Sequence, residues 1–476
     1  MTEVAMSRYQ RLSLTVIFIG VLITAVDTTI VVLALPTMMA DIHAPLSEAS
    51  WVILSYLLVI TLLSTQVGRI GDMFGRVRIY QLGFLIFILG SLFCGLAANS
   101  AEMILFRIVQ GVGGAFVSAN SGAVIADTFP PQLRGRAYGY NSIGWNLGAI
   151  IGILLGGFIT TYWSWRWIFF INVPVGGFAF ALGVRILRDR GTKIRQNLDS
   201  FGMILLGVGL FGVLLTLTRL SSENSNFLTW WIFILGITAL IGFIWIERTQ
   251  ASPALDFSIF RISSLSFSLL ASFFQSLGNF AVLFLLMMYL QGVRGLSPLQ
   301  ASLLLVPGYL VGSAMGPLSG RLTDRMGAIV PATGGLVAQM MAILLYAQLG
   351  TSTALWWVTV GSLINGVGSG LFFPANNAAV MKVAPSGVYG IVSGMLRTFA
   401  NIGMVMSFAV AMFIAAQSIP QRFVYAIFVG TTKLTPHLTH SFDTGIHNAF
   451  YGSIIMMVLA AISSSLRRRH TTQITR

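Results

Sequence analysis

The 476-residue sequence has a single cysteine, Cys94, so it can form neither an internal disulfide nor a cysteine-based metal cluster. Charge is scarce: 9% of residues are Asp, Glu, Lys or Arg, against roughly 25% in ordinary soluble domains. Its five histidines fall in no H-E-x-x-H arrangement, which leaves a zinc hydrolase without support. No ATP-binding P-loop pattern is present, so ATP could drive this protein only through a separate partner. What the sequence does hold is apolar: 56% of residues are hydrophobic and the mean hydropathy is +0.84. That balance excludes a soluble enzyme, a disordered tail and a secreted disulfide scaffold. The length suits about a dozen membrane spans of ~20 residues with short connections.

Fourteen apolar segments lie near residues 13–35, 49–68, 79–98, 102–123, 138–159, 167–187, 200–218, 228–246, 265–290, 298–319, 328–349, 355–379, 388–417 and 448–466. The first is too long for a signal-peptide core and has no convincing small-residue cleavage site, so it reads as a retained span. The segments are continuously apolar and do not alternate. Backbone polar groups in lipid must be paired internally, so helices are expected and a barrel is not. The expected fold class is an all-α membrane protein with 14 transmembrane helices.

The basic residues orient these spans. With the amino terminus placed in the cytoplasm, 21 Lys and Arg fall on the inner side and 5 on the outer, while Arg107 and Arg397 lie inside spans, which accounts for all 28. Miscounting one helix would interleave the two sets and destroy the asymmetry. An even number of spans, both termini cytoplasmic and a multi-pass protein of the cell membrane follow from this distribution. It also explains the net charge of +14 without nucleic acid, which would require basic residues clustered on one accessible face.

The two halves repeat. Gly68, Arg69, Asp72 and Gly75 of G-R-I-G-D-M-F-G match Gly320, Arg321, Asp324 and Gly327 of G-R-L-T-D-R-M-G at an offset of 252. Gly111-Val112-Gly113 matches Gly366-Val367-Gly368 at an offset of 255, and Ala119-Asn120 matches Ala375-Asn376 after one inserted residue. Two motifs in order at nearly equal offsets are unlike chance similarity in Gly-rich sequence. They divide the chain into an N-terminal six-helix bundle (1–187), an inserted two-helix hairpin with cytoplasmic linkers (188–264) and a C-terminal six-helix bundle (265–476). Two six-helix bundles in parallel repeat are one architecture of secondary transporters, with the substrate site near the midplane between them.

The 68–78 stretch G-R-I-G-D-M-F-G-R-V-R resembles the loop signature of the major facilitator superfamily. A-V-D-T-T-I-V-V-L-A-L-P (25–36), R-I-V-Q-G-V-G-G-A (107–115) and S-W-R-W-I-F-F-I-N-V-P-V-G (164–176) resemble its fourteen-helix drug:proton antiporter branch. The resemblance covers nearly the whole chain.

Asp27 is the only carboxylate deep inside an expected span. An ionised Asp at a helix centre costs about 2.5–3.5 kcal/mol, which marks it as a functional candidate, and burial favours its protonated form. At 1.5 Å per residue it lies roughly 13 Å from the outer end of its span, and Arg107 roughly 9 Å from the same side. The resemblance implies that these two spans are neighbours lining a central cavity. Proton binding at Asp27 would then loosen its attraction to Arg107 and bias the inward–outward equilibrium; a purely structural ion pair is the alternative. Arg397 sits in G-M-L-R-T-F-A-N-I-G and could hold a substrate anion or, as we favour, the electronegative end of a helix. One embedded acid against two bases suits no divalent cation, and leaves lipophilic neutral, zwitterionic or monocationic cargo open.

In the loop motif, Gly68 and Gly75 permit tight turns, and Asp72 could occupy a helix amino terminus, where the dipole favours an anion. Arg69, Arg76 and Arg78 could pair with Asp72 or with Asp127, latching the inner side; simple positive-inside anchoring is the bland alternative. Asp324 belongs to the second copy. Gly144, Gly148, Gly152 and Gly156 form one i, i+4 row that allows close helix packing. The row resembles the superfamily's antiporter signature, except that Ala149 and Ile153 stand where prolines normally follow the middle glycines, which leaves antiport and symport both open. Asn141, Trp145, Gln275 and Asn279 are expected at the substrate cavity, the last two because the resemblance places the first helix of the second half there. Residues 418–447 are expected to form an extracellular hairpin or reentrant cap.

The expected activity is proton-coupled export of lipophilic small molecules by alternating access. The proton gradient supplies the energy, no cofactor or metal takes part, and the protein works in the bilayer as a monomer. A dedicated metabolite or lipid exporter and a proton symporter are the alternatives. A membrane enzyme would need clustered His, Asp, Cys or Ser at one depth, and a sensor would usually carry a sizeable soluble output domain.

Overall fold

The computed structural model describes residues 6–44, 46–189, 198–221, 226–250, 253, 255, 260–383, 389–417 and 436–467. Among these residues every regular element is helical. The order is α1 (Arg8–Asp41), α2 (Leu46–Phe74), α3 (Arg76–Leu96), α4 (Ser100–Thr128), α5 (Pro131–Tyr162), α6 (Trp167–Phe170), α7 (Asn172–Ile186), α8 (Ser200–Leu220), α9 (Phe227–Thr249), α10 (Ser263–Met287), α11 (Pro298–Met326), α12 (Ile329–Tyr346), α13 (Trp356–Val383), α14 (Tyr389–Ala416) and α15 (Pro436–Ser465). α6 and α7 together make one span, and α10 runs on through a π turn at Met288–Val293. Among the described residues thirteen helices are long and apolar enough to cross a membrane; α2, bent by 56° between Glu48–Ser64 and Gln66–Phe74, makes fourteen when taken as one span.

The sequence marks the helix starts. Ser7 and Gln10 form a capping box at α1, Asn226 and Thr229 another at α9, and Ser297 and Gln300 a third at α11, where Pro298 takes a first-turn position whose N–H needs no partner. The two loop motifs supply the breaks. Gly75, between α2 and α3, has φ +110°, and Gly327, between α11 and α12, has φ +80°. Both lie where a Cβ is disfavoured, which is why each copy of the motif keeps its final glycine. We call the side carrying these two bends the turn face.

Packing falls into two groups. α1 lies on α5, α4 and α7, and α4 on α2 and α3; in the second half α13 lies on α11 and α12, and α10 on α14 and α15. α5 meets α11 and α2 meets α14 across the groups. α8 and α9 pair with each other, and α8 packs on both α2 and α14, so the hairpin covers the seam between the groups. Its outer helix α9 exposes Trp230, Trp231, Leu235, Ile241 and Trp245, an apolar face suited to a lipid boundary. The start of α1 lies beside the end of α4, where Gln10 Nε2 donates to the Thr128 carbonyl, and Arg467 lies beside Asn376 near the end of α13. The start of α1 and the end of α15 therefore lie at the turn face, as an even number of spans requires.

One expectation needs correction. Residues 436–447 are the opening turns of α15 and not part of a hairpin or cap, since Pro436 starts the helix. Residues 418–435 of that loop lie outside the described residues.

Candidate functional site

The glycine row decides where α1 sits. A Cβ at Gly148 would come within 2.6 Å of the Leu22 carbonyl oxygen and 2.7 Å of Ala25 Cβ, and one at Gly152 within 2.8 Å of the Val26 carbonyl oxygen. Gly144 and Gly156 face Phe18 and Ile30 in the same register. α5 thus lies directly on the α1 backbone, and Thr29 Oγ1 reaches the Ala149 carbonyl at 3.4 Å. This contact leaves Asp27 toward the other neighbours of α1.

Asp27 is fully buried, and three N–H donors converge on it. Arg107 Nη1 donates to Oδ2 at 2.7 Å, Gln110 Nε2 to Oδ1 at 2.7 Å, and Asn172 Nδ2 to Oδ1 at 3.2 Å. Arg107 and Gln110 are one turn apart on α4, so a single helix face presents both; Asn172 opens α7. Arg107 is itself held: Nε donates to the Val52 carbonyl at 3.1 Å, Nη1 donates to Gln110 Oε1 at 2.6 Å, and its guanidinium carbon stands 4.0 Å from the Tyr56 ring centroid. Asn172 also donates to Ser91 Oγ at 3.0 Å, whose hydroxyl donates to the Phe169 carbonyl at 2.9 Å. Five helices therefore close around one carboxylate. Each donor suits an ionised acid, and a charge-assisted hydrogen bond is worth about 1.5–3 kcal/mol, enough together to offset the burial of the charge.

Gln110, Asn172, Tyr56 and Ser91 are absent from the sequence reading. Gln110 was legible as the residue one helical turn from Arg107. Asn172 lies within the quoted 164–176 stretch, but nothing in its spacing points to Asp27.

At the turn face, Arg76 bridges two acids: Nε to Asp72 Oδ1 at 2.7 Å and Nη1 to Asp127 Oδ1 at 2.6 Å. These residues belong to α2, α3 and α4, so the cluster fastens helices within one group, not one group to the other. Asp72 lies in the last turn of α2 and not at a helix amino terminus. That place is taken by Asp189, whose Oδ1 accepts from the Val77 N–H at 2.8 Å at the start of α3 and whose carboxylate fills the space beside Gly75. Arg69 donates to the Pro253 carbonyl in the linker after α9. Gly68 has open space where a Cβ would go. In the second copy, Asp324 makes no ion pair among the described residues.

The expected cavity residues separate. Trp145 is 42% exposed on α5, beside exposed Tyr138, Tyr140 and Ile143; Asn141 is half-buried with its Oδ1 unpartnered. α5 and α11 meet at the face away from the turns, where the Leu299 N–H donates to Thr161 Oγ1 at 3.2 Å and a Cβ on Gly157 would strike Ser302. Toward the turn face Gly316 and Gly320 of α11 have nothing within 4 Å of an added Cβ. Arg397 on α14 is exposed, and its Nη1 reaches across to the Ser118 carbonyl of α4 at 2.9 Å, a main-chain acceptor in the interior of that helix and not at its electronegative end. Gln275 does not face that space: it is buried and its Nε2 donates to Gln339 Oε1 of α12 at 3.2 Å, one amide satisfying another inside the second group. Asn279 is half-buried with an unpartnered Oδ1.

The family model of the Major Facilitator Superfamily matches residues 17–408. The chain belongs to the major facilitator superfamily. It is 29% identical over 453 residues to the protein named Uncharacterized transporter YebQ of Escherichia coli (strain K12), covering 95% of this chain and 94% of that relative. It is 30% identical over 410 residues to Riboflavin transporter RibZ of Clostridioides difficile (strain 630), covering 85% and 88%. With Multidrug transporter protein MdtP of Bacillus subtilis (strain 168) the identity is 29% over 395 residues, covering 82% and 73%. Among solved structures, a bacterial homolog of the human lysosomal transporter Spinster, inward-facing and unoccupied, superposes with a TM-score of 0.67 at 16% identity, covering 97% of this chain and 98% of that one. The protein is a multi-pass membrane transporter of this superfamily, and its relatives are transporters, not enzymes.

Proposed function

We propose that this superfamily member is a proton-coupled exporter of lipophilic small molecules working by alternating access. The carrying observation is Asp27, a buried acid with three N–H donors drawn from α4 and α7. A proton on Asp27 weakens its hold on Arg107. It thereby loosens α1 from α4 and α7, while the glycine row keeps α1 on α5. Release of the proton rebuilds the cluster. The exposed aromatic stretch of α5 around Tyr138, Tyr140 and Trp145 offers flat apolar surface to cargo, and Arg397 disfavours a cation near the seam. Relatives named multidrug transporters support the cargo class. The protein would sit in the cell membrane with both termini in the cytoplasm, act as a monomer and draw on the proton gradient without a cofactor.

Asp27→Asn keeps the size of the side chain and one acceptor oxygen, but puts an NH2 donor in place of the other oxygen and carries no acid proton. In proteoliposomes with an imposed pH gradient, the variant should fold and still bind a lipophilic dye, yet lose gradient-driven dye movement. Gradient-driven movement equal to the wild type would remove Asp27 from the coupling. A dedicated metabolite carrier is the second reading, favoured by the relative named a riboflavin transporter. Transport of a flavin with no movement across a panel of unrelated dyes would select it.

A further inference from the structure

Three donors from two other helices line one strip of α4. The Ser118 carbonyl accepts from Arg397 Nη1 at 2.9 Å, the Gly122 carbonyl from the Tyr138 hydroxyl at 3.0 Å, and the Ala126 carbonyl from Arg134 Nη2 at 2.7 Å. These acceptors are four residues apart, so they follow one another along a single face of α4 at intervals of about 6 Å. Arg134 and Tyr138 come from α5 in the first group, and Arg397 from α14 in the second. α14 packs on α2 and α8, and its guanidinium reaches α4 across the seam between the groups.

Two guanidinium groups thus flank one phenol. Asp127, next to Ala126 in the chain, is bound to Arg76, and neither Arg134 nor Arg397 makes an ion pair among the described residues. Arg134 is well anchored, since its Nε also donates to the Phe129 carbonyl at 3.0 Å. Arg397 is not. It is exposed, and its acceptor is a neutral carbonyl that also accepts from Ser121 Oγ at 2.9 Å. A carboxylate would hold it better, because two ionised oxygens match two parallel N–H groups of a guanidinium. Trp145 lies seven residues after Tyr138, two turns along the same face of α5 and about 10 Å farther from the turn face. Tyr138 and Trp145 are both exposed, so positive charge and flat aromatic surface adjoin along one helix face.

We propose that Arg397 and Tyr138 bind the acidic group of an anionic aromatic cargo whose rings lie on Trp145. The cargo's carboxylate takes the place of the Ser118 carbonyl on Arg397, and Arg134, one turn nearer the turn face, adds a second positive charge that draws the anion in. The proposal rests on the reading of the protein as an exporter and narrows its cargo to lipophilic aromatic acids.

The test is equilibrium dialysis of the purified full-length protein in a non-ionic detergent at neutral pH, with detergent alone as the blank. The probes share one ring system: naphthalene-2-carboxylate, its methyl ester and naphthalene-2-methylammonium. The wild type should prefer the carboxylate to both others by at least about tenfold, the worth of one charge-assisted contact. Arg397→Gln should bring the carboxylate-to-ester ratio to within about twofold, and Arg397→Lys should retain part of it, because an ammonium keeps the charge without the planar fork. Tyr138→Phe, which keeps the ring and loses the hydroxyl, should lower the ratio as well. Each variant is judged by two probes on the same sample, so a poorly folded preparation weakens both and leaves the ratio readable. No preference for the carboxylate in the wild type, or a preference that Arg397→Gln leaves intact, would overturn the proposal. So would displacement of the carboxylate probe by a soluble short-chain phosphatidylglycerol and not by the matching phosphatidylcholine, which would make the strip a site for a lipid headgroup. The measurement uses no pH gradient, so a failure of proton coupling at Asp27 would change none of these outcomes.

Discussion

Replacing Arg107 with Met removes the charge while keeping a long side chain of similar reach. Asp27 would then keep Gln110 and Asn172 as donors but lose its one cationic partner, in a site from which water is excluded. Breaking a buried ion pair on one side costs about 3–5 kcal/mol, because the other charge is left uncompensated. The two remaining amides put the expected cost near the lower end, about 3 kcal/mol. The double variant Asp27→Asn with Arg107→Met leaves no charge behind and should recover most of that loss, a coupling of about 3 kcal/mol. Unfolding of the purified protein in detergent at pH 8, run as a double-mutant cycle, measures both. A single variant as stable as the wild type at pH 8, or a cycle with no coupling, would mean that the contact between Asp27 and Arg107 is not what holds α1 to α4.

Two further outcomes follow from the packing. Gly148→Ala puts a methyl against both the Leu22 carbonyl and Ala25 Cβ, backbone and short side chain that cannot swing aside, so thermal stability and transport should fall together, whereas Gly139→Ala on the same helix, with nothing nearby, should change neither. Arg76→Ala loses both carboxylate contacts, but these are partly exposed, so unfolding should shift by under about 1 kcal/mol while the transport rate in proteoliposomes drops with substrate affinity unchanged; an affinity defect alone would assign the cluster to cargo binding instead.

Long apolar runs and the basic asymmetry made the helices and their count legible, since both follow from the bilayer as solvent. Asp27 and Arg107 were legible because a charge in a span is costly enough to stand out. The rest of that site was not. Gln110 and Asn172 are neutral and common, and their role rests on which way α4 and α7 face α1. Asp189 at the α3 amino terminus could not be separated by sequence from Asp72, because both are exposed-looking acids near a glycine turn. Gln275 was expected at the cavity, but rotation about the axis of α10 sends it to Gln339. Depth along a helix is a matter of counting residues, whereas rotation is set by packing partners that a single sequence does not name.

The two halves share their bends but not their ion pairs. Gly75 and Gly327 take the same kind of left-handed backbone, so the repeat is maintained where the chain must turn. Yet Arg76 ties three helices together through Asp72 and Asp127, while Asp324 makes no ion pair among the described residues. In the same way α10 answers the buried acid of α1 with neutral Gln275 and Asn279. A rocking motion needs one body whose internal contacts respond to protonation and another that moves against it. In the proposed mechanism the responsive contacts are those of the first group, and the second group reaches it through α11 on α5, α14 on α2, α10 and α11 on α1, and Arg397 on Ser118. A change at Asp27 therefore has two routes to α11, the direct contact of α1 and the longer one through α5. The Gly144–Gly156 row makes that step rigid: with main chain lying on main chain, α1 cannot shift without carrying α5 along.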